Sequence, residues 1–576
     1  MHALLIYKRC FDIATLLWLV LATNALAATP EDEVVAVKHE LLALANGVGP
    51  PPEKNPEAPA QPVQNIVGAG DWEFTLQFAA RIGNEQSQAN ALIAILGKTR
   101  DLKDPQQGRA VLSRVAILAS EIGNDTARAR VLTECATGAT RLDDDAQARA
   151  LFARAVDIAG TISDPASKAR VFAALAEVAT ALHGAGRGRA LFDQARVAAD
   201  GITDDAARGL VLTRLASAAA KLGDSTRGRE LLILAVDAAD AIDDDLARAA
   251  VLGAVAQGAA NLGNPAQGRA VLENILGEVD SIGSGLGKAR VLASVSTASA
   301  ALGDPAQGGA VLASIVAAQA KINADFTQVR WLLVALVDAE VKLGNESQAH
   351  ALTEQALRTA DIVDTDFARI RVLESVAAAA AKLNDPGQGR VLLDRVLQET
   401  RKVADPSLRP RVLISVAQAA GKLHDPAPLE QVIAAADETR GEAERAALFL
   451  VLAETAAKLG DSGQARMFLA RAAKETAGVS AEPARSHAQV GLAETALRIG
   501  DHAQAETSFE AVTETRERLG VKGITDSDWV RAIAIAASLD QHDRVITMAG
   551  LLSTDDAKLD ALSRAFAVWR MQLASH

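Results

Sequence analysis

Five arginines share one position in a long internal pattern of this chain, twelve residues before a leucine that a tight polar turn follows. They are Arg130, Arg170, Arg290, Arg371 and Arg411. Because the planar guanidinium group pairs with carboxylates and phosphates in bidentate fashion, a column of such groups could hold an acidic ligand. The alternative is that these arginines neutralise the acidic turns around them, where an exposed ion pair adds little stability.

Two further sets of cations recur in the same pattern. One set lies two residues before the first, at Arg128, Lys168, Arg208, Arg248, Lys288, Arg369, Arg409, Arg445 and Arg485. The other follows a glycine or an alanine later in the pattern, at Arg109, Arg149, Arg189, Arg229, Arg269, Arg390 and Arg466. The same two interpretations, charge neutralisation and ligand binding, apply to both sets.

No other group of residues matches the requirements of a known reaction. The nine histidines are scattered and form no HExxH motif. The single cysteine beyond the first ten residues, Cys135, stands where related positions carry leucine or valine, which predicts a small buried side chain. The Gly-rich stretches at 184–186 and 283–287 fall between predicted helices, whereas a phosphate-binding loop follows a strand. We therefore expect a protein that is not an enzyme and uses no cofactor or metal.

The elements that position the arginines come from a repeat of about 40 residues. Its mark, a leucine or isoleucine before a polar turn, occurs at Leu102, Leu142, Leu182, Leu222, Leu262, Leu302, Leu343, Leu383, Leu423, Leu459, Ile499 and Leu539. In the unit 204–243, apolar residues at helical spacing predict two helices, A and B, separated by Gly223-Asp224. Gly223 suits a left-handed helix end, and Asp204 and Asp224 suit helix starts. A sustained period of this length predicts a solenoid.

The unit resembles tetratricopeptide repeats (TPR). It has Leu215-Ala216 in helix A, the Gly223-Asp224 turn, and Gly228, Leu232 and Ala235 in helix B at the TPR spacings. The usual aromatic residues of helix A and the proline after helix B are absent, and HEAT repeats are the second candidate. The resemblance implies an all-α, right-handed α-solenoid of about twelve helix-turn-helix repeats, with helix A lining a concave groove. Arg130, Arg170, Arg290, Arg371 and Arg411 would then face the groove, with a gap at Leu210 and Ala250.

The two ends of the chain differ from the repeats. Residues 1–27 have the positive start, short apolar stretch and Ala25-Leu26-Ala27 site of a cleaved signal peptide. We predict an N-terminal helix at 28–48 and a Pro-rich linker at 49–70. The TPR-like array spans 71–554 with a kink near 424–445, and a capping helix follows at 555–576.

Charge and the predicted signal peptide limit the function. A net charge of −13 disfavours nucleic acid as a partner. No segment after the signal peptide is long and apolar enough to span a membrane. We expect a periplasmic or secreted scaffold that binds a protein or peptide, including an acidic segment, in its groove. The alternative is a structural spacer in a cell-envelope complex for secretion or polysaccharide export.

Overall fold

The chain is described by a computed structural model that covers residues 30–50, 60–102, 104–319, 326–360, 363 and 365–575. Over these residues it contains 28 α-helices and no strand, which confirms the predicted all-α solenoid class. The right-handed sense of the superhelix stays a prediction. The predicted signal peptide, 1–27, lies outside the described residues.

The helices follow the predicted alternation. Three helices come first: Pro30–Leu44, Gln61–Gly68 and Trp72–Arg81. The A helices are Glu85–Lys98, Asp125–Arg141, Pro165–His183, Asp205–Lys221, Asp245–Ala260, Gly285–Ala300, Phe326–Lys342, Asp366–Ala380, Arg409–Leu423, Glu442–Lys458, Glu482–Ile499 and Asp526–Ser538. The B helices are Pro105–Glu121, Asp145–Thr161, Ala185–Asp200, Ser225–Asp240, Pro265–Glu278, Pro305–Gln319, Glu346–Ala360, Pro386–Arg401, Ala427–Asp437, Ser462–Gly478, His502–Leu519 and His542–Gly550. The last helix is Asp555–Ser575, and 3₁₀ turns lie at Ala45–Gly47, Thr99–Asp101, Val279–Ser281 and Gly520–Lys522.

Short polar turns start and stop these helices as the sequence predicts. The side chain of Asp204 accepts a hydrogen bond from the Ala207 amide, and that of Asp224 accepts one from the Arg227 amide. Between helices A and B, Gly223 has φ = +81°, a left-handed conformation that costs glycine little. His424 takes the equivalent place with φ = +53°, where a side chain is disfavoured. Each turn therefore supplies both a helix end and a helix start within a few residues.

The chain divides into two compact units. Unit 2, Thr99–Ser508, holds the regular repeats. Its core consists of aliphatic side chains and alanines such as Leu215, Leu232 and Ala235, all fully buried. Helices A and B approach closely at Gly228, where an added Cβ would lie 3.0 Å from the carbonyl oxygen of Ala216 in helix A. Such close contacts explain why small residues recur in the repeat.

The predicted kink region lies in unit 2. Helix B is only 11 residues long there, Ala427–Asp437, against 16 residues for Ser225–Asp240. Pro428 falls in the first turn of that short helix, where a missing N–H is tolerated. The repeat marks Leu423 and Leu459 are 36 residues apart, four fewer than the usual 40, and the shortened helix B accounts for the difference. The kink itself stays a prediction.

Unit 1 combines Met1–Lys98 with Phe509–His576, so that both ends of the chain belong to one unit. Helix Pro30–Leu44 packs on His542–Gly550 and Asp555–Ser575. Phe74 of the N-terminal part lies 4.9 Å from Phe566 of the last helix, measured between ring centroids. Phe566 and Trp569 are almost fully buried. The predicted capping helix is thus itself covered by the N-terminal helices.

Helix Gln61–Gly68 corrects part of the predicted linker 49–70. Pro62 stands in its first turn, where proline starts a helix without losing a needed hydrogen bond. Ile66 and Val67 are buried, and Asn65 Nδ2 donates to Ser563 Oγ at 3.0 Å. The prolines at 51–59 lie outside the described residues. The error arose because proline is frequent both in extended linkers and at helix starts.

Candidate interaction surface

In unit 2, one side of the stack is formed by the A helices. Successive A helices pack on each other more extensively than successive B helices do. The A helices therefore lie on the inner side of the stack, as the TPR resemblance implies. We call the row of exposed and half-exposed A-helix side chains the inner face.

The five predicted arginines occupy one register position on their A helices, but their surroundings differ. Arg130 and Arg170 are half-buried, and Arg170 Nη2 donates to Ser167 Oγ at 3.1 Å. Arg371 and Arg411 both contact Glu374. Arg290 is exposed and forms no hydrogen bond or ion pair with the residues that the structure describes. The predicted ladder is therefore not uniform, and Arg290 differs most from the rest.

Glu374 joins Arg371 and Arg411 from neighbouring repeats. Arg411 Nε donates to Glu374 Oε1 at 3.0 Å, and Arg411 Nη2 donates to Oε2 at 3.4 Å. Arg371 Nη1 donates to the same Oε2 at 3.4 Å. Since the Glu374 side chain is only 6% exposed, the arginines compensate a buried charge. Arg371 and Arg411 therefore neutralise Glu374, as the charge-neutralisation alternative predicts.

A notch of about 450 Å³ opens beside Arg290. It lies between helices Asp245–Ala260 and Gly285–Ala300 and is lined by Ala249, Ala250, Gly253, Leu286, Ala289, Arg290, Ala293 and Ser294. The space exists because these residues are small: a Cβ on Gly253 would lie 3.0 Å from Ser294 Oγ. The sequence shows only a gap in the arginine ladder at Ala250. The structure shows that this gap is part of a cavity.

Exposed leucines extend the apolar surface around the notch. Leu210 is 42% exposed on the preceding A helix, and Leu246 is 40% exposed on helix Asp245–Ala260 itself. Leu286 is half-buried at the notch itself. Arg290 is thus a single cation at the edge of an apolar depression. Such a site suits an apolar side chain with a negative or carbonyl group beside it.

The cations two residues earlier in helix A have a structural role. Arg248 Nε donates to the carbonyl oxygen of Ile242 at 3.1 Å, and its Nη2 donates to that of Asp240 at 3.0 Å. Arg409 and Lys168 reach the ends of their preceding B helices in the same way. The last carbonyls of a helix lack partners within the helix and carry partial negative charge. These cations therefore complete the end of helix B.

The third set of cations, in helix B, forms local contacts. Arg149 pairs with Asp145 at 3.3 Å, and Arg269 pairs with Glu273 at 2.7 Å. Arg109 Nη2 donates to the carbonyl oxygen of Leu142 at 2.9 Å. Most of these contacts are exposed, so each adds little stability. They give no reason to assign a ligand to this set.

Other reactive groups offer no site in the part of the chain that the structure describes. Cys135 is fully buried, and burial raises the pKa of its thiol to about 12, so the reactive thiolate is not available. No cluster of three or more His, Cys, Asp or Glu side chains is placed to bind a metal among the described residues. None of the described helices has the length and apolar character needed to span a bilayer.

Comparisons with known proteins concern the fold alone. A comparison with protein-family models gives no match, and a comparison with curated protein sequences gives none. Among solved structures, Ton1535 from Thermococcus onnurineus is 15% identical, with 69% of this chain and 98% of that chain covered and a TM-score of 0.29. A Rap protein in complex with a competence and sporulation factor is 12% identical, covering 64% and 99%, with a TM-score of 0.22.

A third solved structure is an ATPase with a tetratricopeptide-repeat sensor from Pyrococcus horikoshii. It is 10% identical, covering 83% of this chain and 87% of that chain, with a TM-score of 0.24. At TM-scores below 0.5 these likenesses add no support to the all-α repeat fold, which rests on the helices of the described residues.

Proposed function

We propose that this chain is a non-catalytic scaffold that binds an extended protein segment along the inner face of unit 2. The notch beside Arg290 is the observation that supports the proposal. It receives an apolar side chain of the partner, and Arg290 contacts a carboxylate or carbonyl oxygen next to that side chain. Arg290 is thus retained from the five arginines predicted from the sequence, and it acts at the edge of the notch.

The size and composition of the notch fit an anchor residue. Pockets for small ligands commonly span about 300–1,000 Å³, and the notch, with about 450 Å³, has room for one large side chain. Burying one large apolar side chain contributes roughly 1.5–3 kcal/mol. One such anchor in a depression dominates the affinity of many protein interfaces. The exposed Leu210 and Leu246 extend the contact on the same face.

The compartment is part of the proposal. The sequence of residues 1–27 supports export, with cleavage after Ala27 and function in the periplasm or outside the cell. Sequencing the N-terminus of protein from the envelope or medium tests this point. A chain that begins at Ala28 supports export, and a chain that begins at Met1 contradicts it.

The spacer alternative receives less support. It needs a free N-terminal helix as a tether to another component. Helix Pro30–Leu44 instead packs on the C-terminal helices of unit 1, and its Val37 and Leu41 are fully buried. We therefore assign that helix to the stability of unit 1.

Two substitutions test the notch. Ala250 is exposed at its rim, so Ala250→Trp fills the cavity without entering the core. Arg290→Ala removes the cation. Both variants are expected to lose at least ten-fold of the partner that co-purifies after chemical crosslinking in cells, with unchanged helicity. The matched control is Arg229→Ala, which removes an exposed arginine from helix B. Normal partner recovery with Ala250→Trp would show that the notch is not the site.

A further inference from the structure

A second part of the inner face carries two cations for each acid. The carboxylate of Asp338 forms ion pairs with Lys342 Nζ at 2.8 Å and with Lys382 Nζ at 2.9 Å. Burial works to raise the pKa of Asp338, but the hydrogen bonds and charges of the two lysines hold that pKa below its ordinary value. Asp338 is therefore ionised at neutral pH, and its cluster keeps one net positive charge.

The Glu374 cluster has the same stoichiometry, with Arg371 and Arg411 on one carboxylate. Both arginines stay partly open to solvent: the Arg371 side chain is 30% exposed and the Arg411 side chain is 39% exposed. Phe367, 46% exposed, lies under the Arg371 guanidinium at 5.2 Å. This cluster can accept a second carboxylate on the side where Phe367 is exposed.

Lys422 adds a further positive charge in the next repeat. Where the earlier repeat has Asp338, the residue that would face Lys422 is Ala378. Lys422 is exposed and makes no ion pair with any residue that the structure describes. We define the basic band as Lys342, Lys382, Lys422, Arg371 and Arg411 together with the acids Asp338 and Glu374. It contains five cations and two acids in a chain of net charge −13.

Elsewhere on the inner face, two of the equivalent positions hold one cation for one acid, whereas Arg141 and Lys458 make no ion pair with any residue that the structure describes. Lys221 pairs with Glu177 at 2.9 Å, and Arg498 pairs with Glu454 at 2.9 Å. Glu177, Asp338 and Glu454 occupy the same place in their repeats, five residues before the leucine or isoleucine of the turn or its equivalent. Single unpaired cations therefore also occur outside the repeats from Lys342 to Lys422, whereas two cations on one carboxylate, as at Asp338 and Glu374, are the property of these repeats.

We propose that the basic band binds an acidic stretch of the same partner segment whose apolar residue enters the notch. This inference rests on the proposed function and adds the chemistry of the partner. Helix Asp366–Ala380 is the second A helix after the notch helix Gly285–Ala300. Packed helices lie about 8–10 Å apart, and an extended chain advances about 3.3 Å per residue. The acidic stretch thus follows or precedes the apolar residue by about five to six residues.

The test uses the full chain and two labelled synthetic peptides, ten Glu-Ser repeats and ten Gln-Ser repeats, in a fluorescence-anisotropy titration. The Glu-Ser peptide is expected to bind and the Gln-Ser peptide is not. Its affinity should fall as salt is raised, because exposed charges are screened. Asp338→Asn and Glu374→Gln each remove a competing acid, so each should tighten binding of the Glu-Ser peptide about five-fold, or roughly 1 kcal/mol.

Glu177→Gln is the matched control because it removes an acid from the same position of a distant repeat. It should change the affinity less than two-fold. Equal binding of the two peptides, or equal tightening by Glu177→Gln and Asp338→Asn, would overturn the basic band as a specific site. If Glu374→Gln has a lowered melting temperature, the affinity of Asp338→Asn alone decides whether removing an acid from the band tightens binding. If the Glu-Ser peptide does not bind the basic band but Ala250→Trp still abolishes partner recovery in cells, the notch remains the proposed site and only the acidic stretch of the partner is rejected.

Discussion

The two units of this chain are held together in different ways. In unit 2 the contacts that join one repeat to the next span about one period, such as Lys221 to Glu177, 44 residues apart. In unit 1 the contact from Asn65 to Ser563 joins residues 498 positions apart. Stability in unit 2 can therefore be assembled repeat by repeat. Unit 1 forms only when both ends of the chain are present.

The cores of the units reflect this difference. Unit 1 buries Phe78, Trp529, Phe566 and Trp569 in contacts that occur once. Unit 2 buries mainly alanines and aliphatic residues in contacts that recur, together with a few rings such as Phe192, Phe449 and Phe468. The repeated core leaves a continuous inner face on one side, which carries the notch and the basic band. We therefore propose that unit 2 carries recognition, and we expect loss of stability in one unit to be measurable separately from loss of stability in the other.

The largest expected effect concerns the repeated core. Leu215 is fully buried, so Leu215→Asp places an unpaired charge inside helix A and should cost about 5 kcal/mol. The urea midpoint detected by circular dichroism, which reports mainly the repeats, should fall more than the midpoint detected by tryptophan fluorescence. Of the four tryptophans after the predicted signal peptide, Trp72, Trp529 and Trp569 belong to unit 1 and Trp331 belongs to unit 2, so fluorescence reports mainly unit 1. A variant as stable as the parent would show that the register of helix A is wrong.

A core substitution in unit 1 tests the packing between the N-terminal and C-terminal helices. Phe566→Ala removes a fully buried ring that contacts Phe74 and should destabilise unit 1 by about 3–5 kcal/mol. Here the fluorescence transition should move more than the dichroism transition. Phe468→Ala, at a fully buried position of unit 2, is the control and should give the reverse order. Identical shifts of both probes in both variants would mean that the units do not unfold separately.

A smaller effect tests the end of helix B. Arg248→Ala removes the donors to the carbonyls of Ile242 and Asp240 and should cost about 1 kcal/mol, detected by dichroism. Arg248→Lys should cost less, because Lys168 already donates to a helix-B carbonyl, that of Gly160, at 2.9 Å. If both variants lose the same stability, the contact depends on guanidinium geometry and not on charge alone.

The smallest effect concerns pH in unit 1. Burial works to raise the pKa of Asp71, but hydrogen bonds from Lys38 and the Phe74 amide hold that pKa below its ordinary value. A lowered folded-state pKa means that the stabilisation is present above the ordinary pKa of about 3.9 and is lost as the pH falls through the folded value.

Asp71→Asn should therefore cost no more than about 1 kcal/mol at pH 7, measured by the fluorescence midpoint. The difference between Asp71→Asn and the parent should shrink at pH 3. An equal difference at both pH values would show that the Lys38–Asp71 ion pair adds nothing to unit 1.

The repeats could be predicted from the sequence because each repeats the same local signals. The unit 204–243 has the predicted helices, Asp205–Lys221 and Ser225–Asp240, with both predicted caps. Unit 1 could not be predicted from the sequence, because a contact such as that between Asn65 and Ser563 leaves no periodic pattern in it. The linker was wrong over Gln61–Gly68 for the same reason: the apolar residues of that helix pack on a partner that is remote in sequence.

The candidate site could be predicted in part. The five arginines share one place in the repeat, and the sequence indicates that place. Their neighbours decide the role: Glu374 stands three residues after Arg371, whereas Ala293 stands three residues after Arg290. An acid at that spacing on a helix is a visible sign of an internal ion pair. The notch itself needed the structure, because it forms between two repeats.

The most direct test of the account compares photo-crosslinking from the two units in intact cells. A photoreactive amino acid is placed in separate variants at Ala250 in the notch, at Val391 on helix B of unit 2, and at Val521 in unit 1; the two valines are exposed. We predict that a protein adduct forms from position 250 and is lost when Arg290→Ala is added, while the other two positions give none. An adduct from Val521 or Val391, with none from position 250, would contradict recognition by the inner face of unit 2.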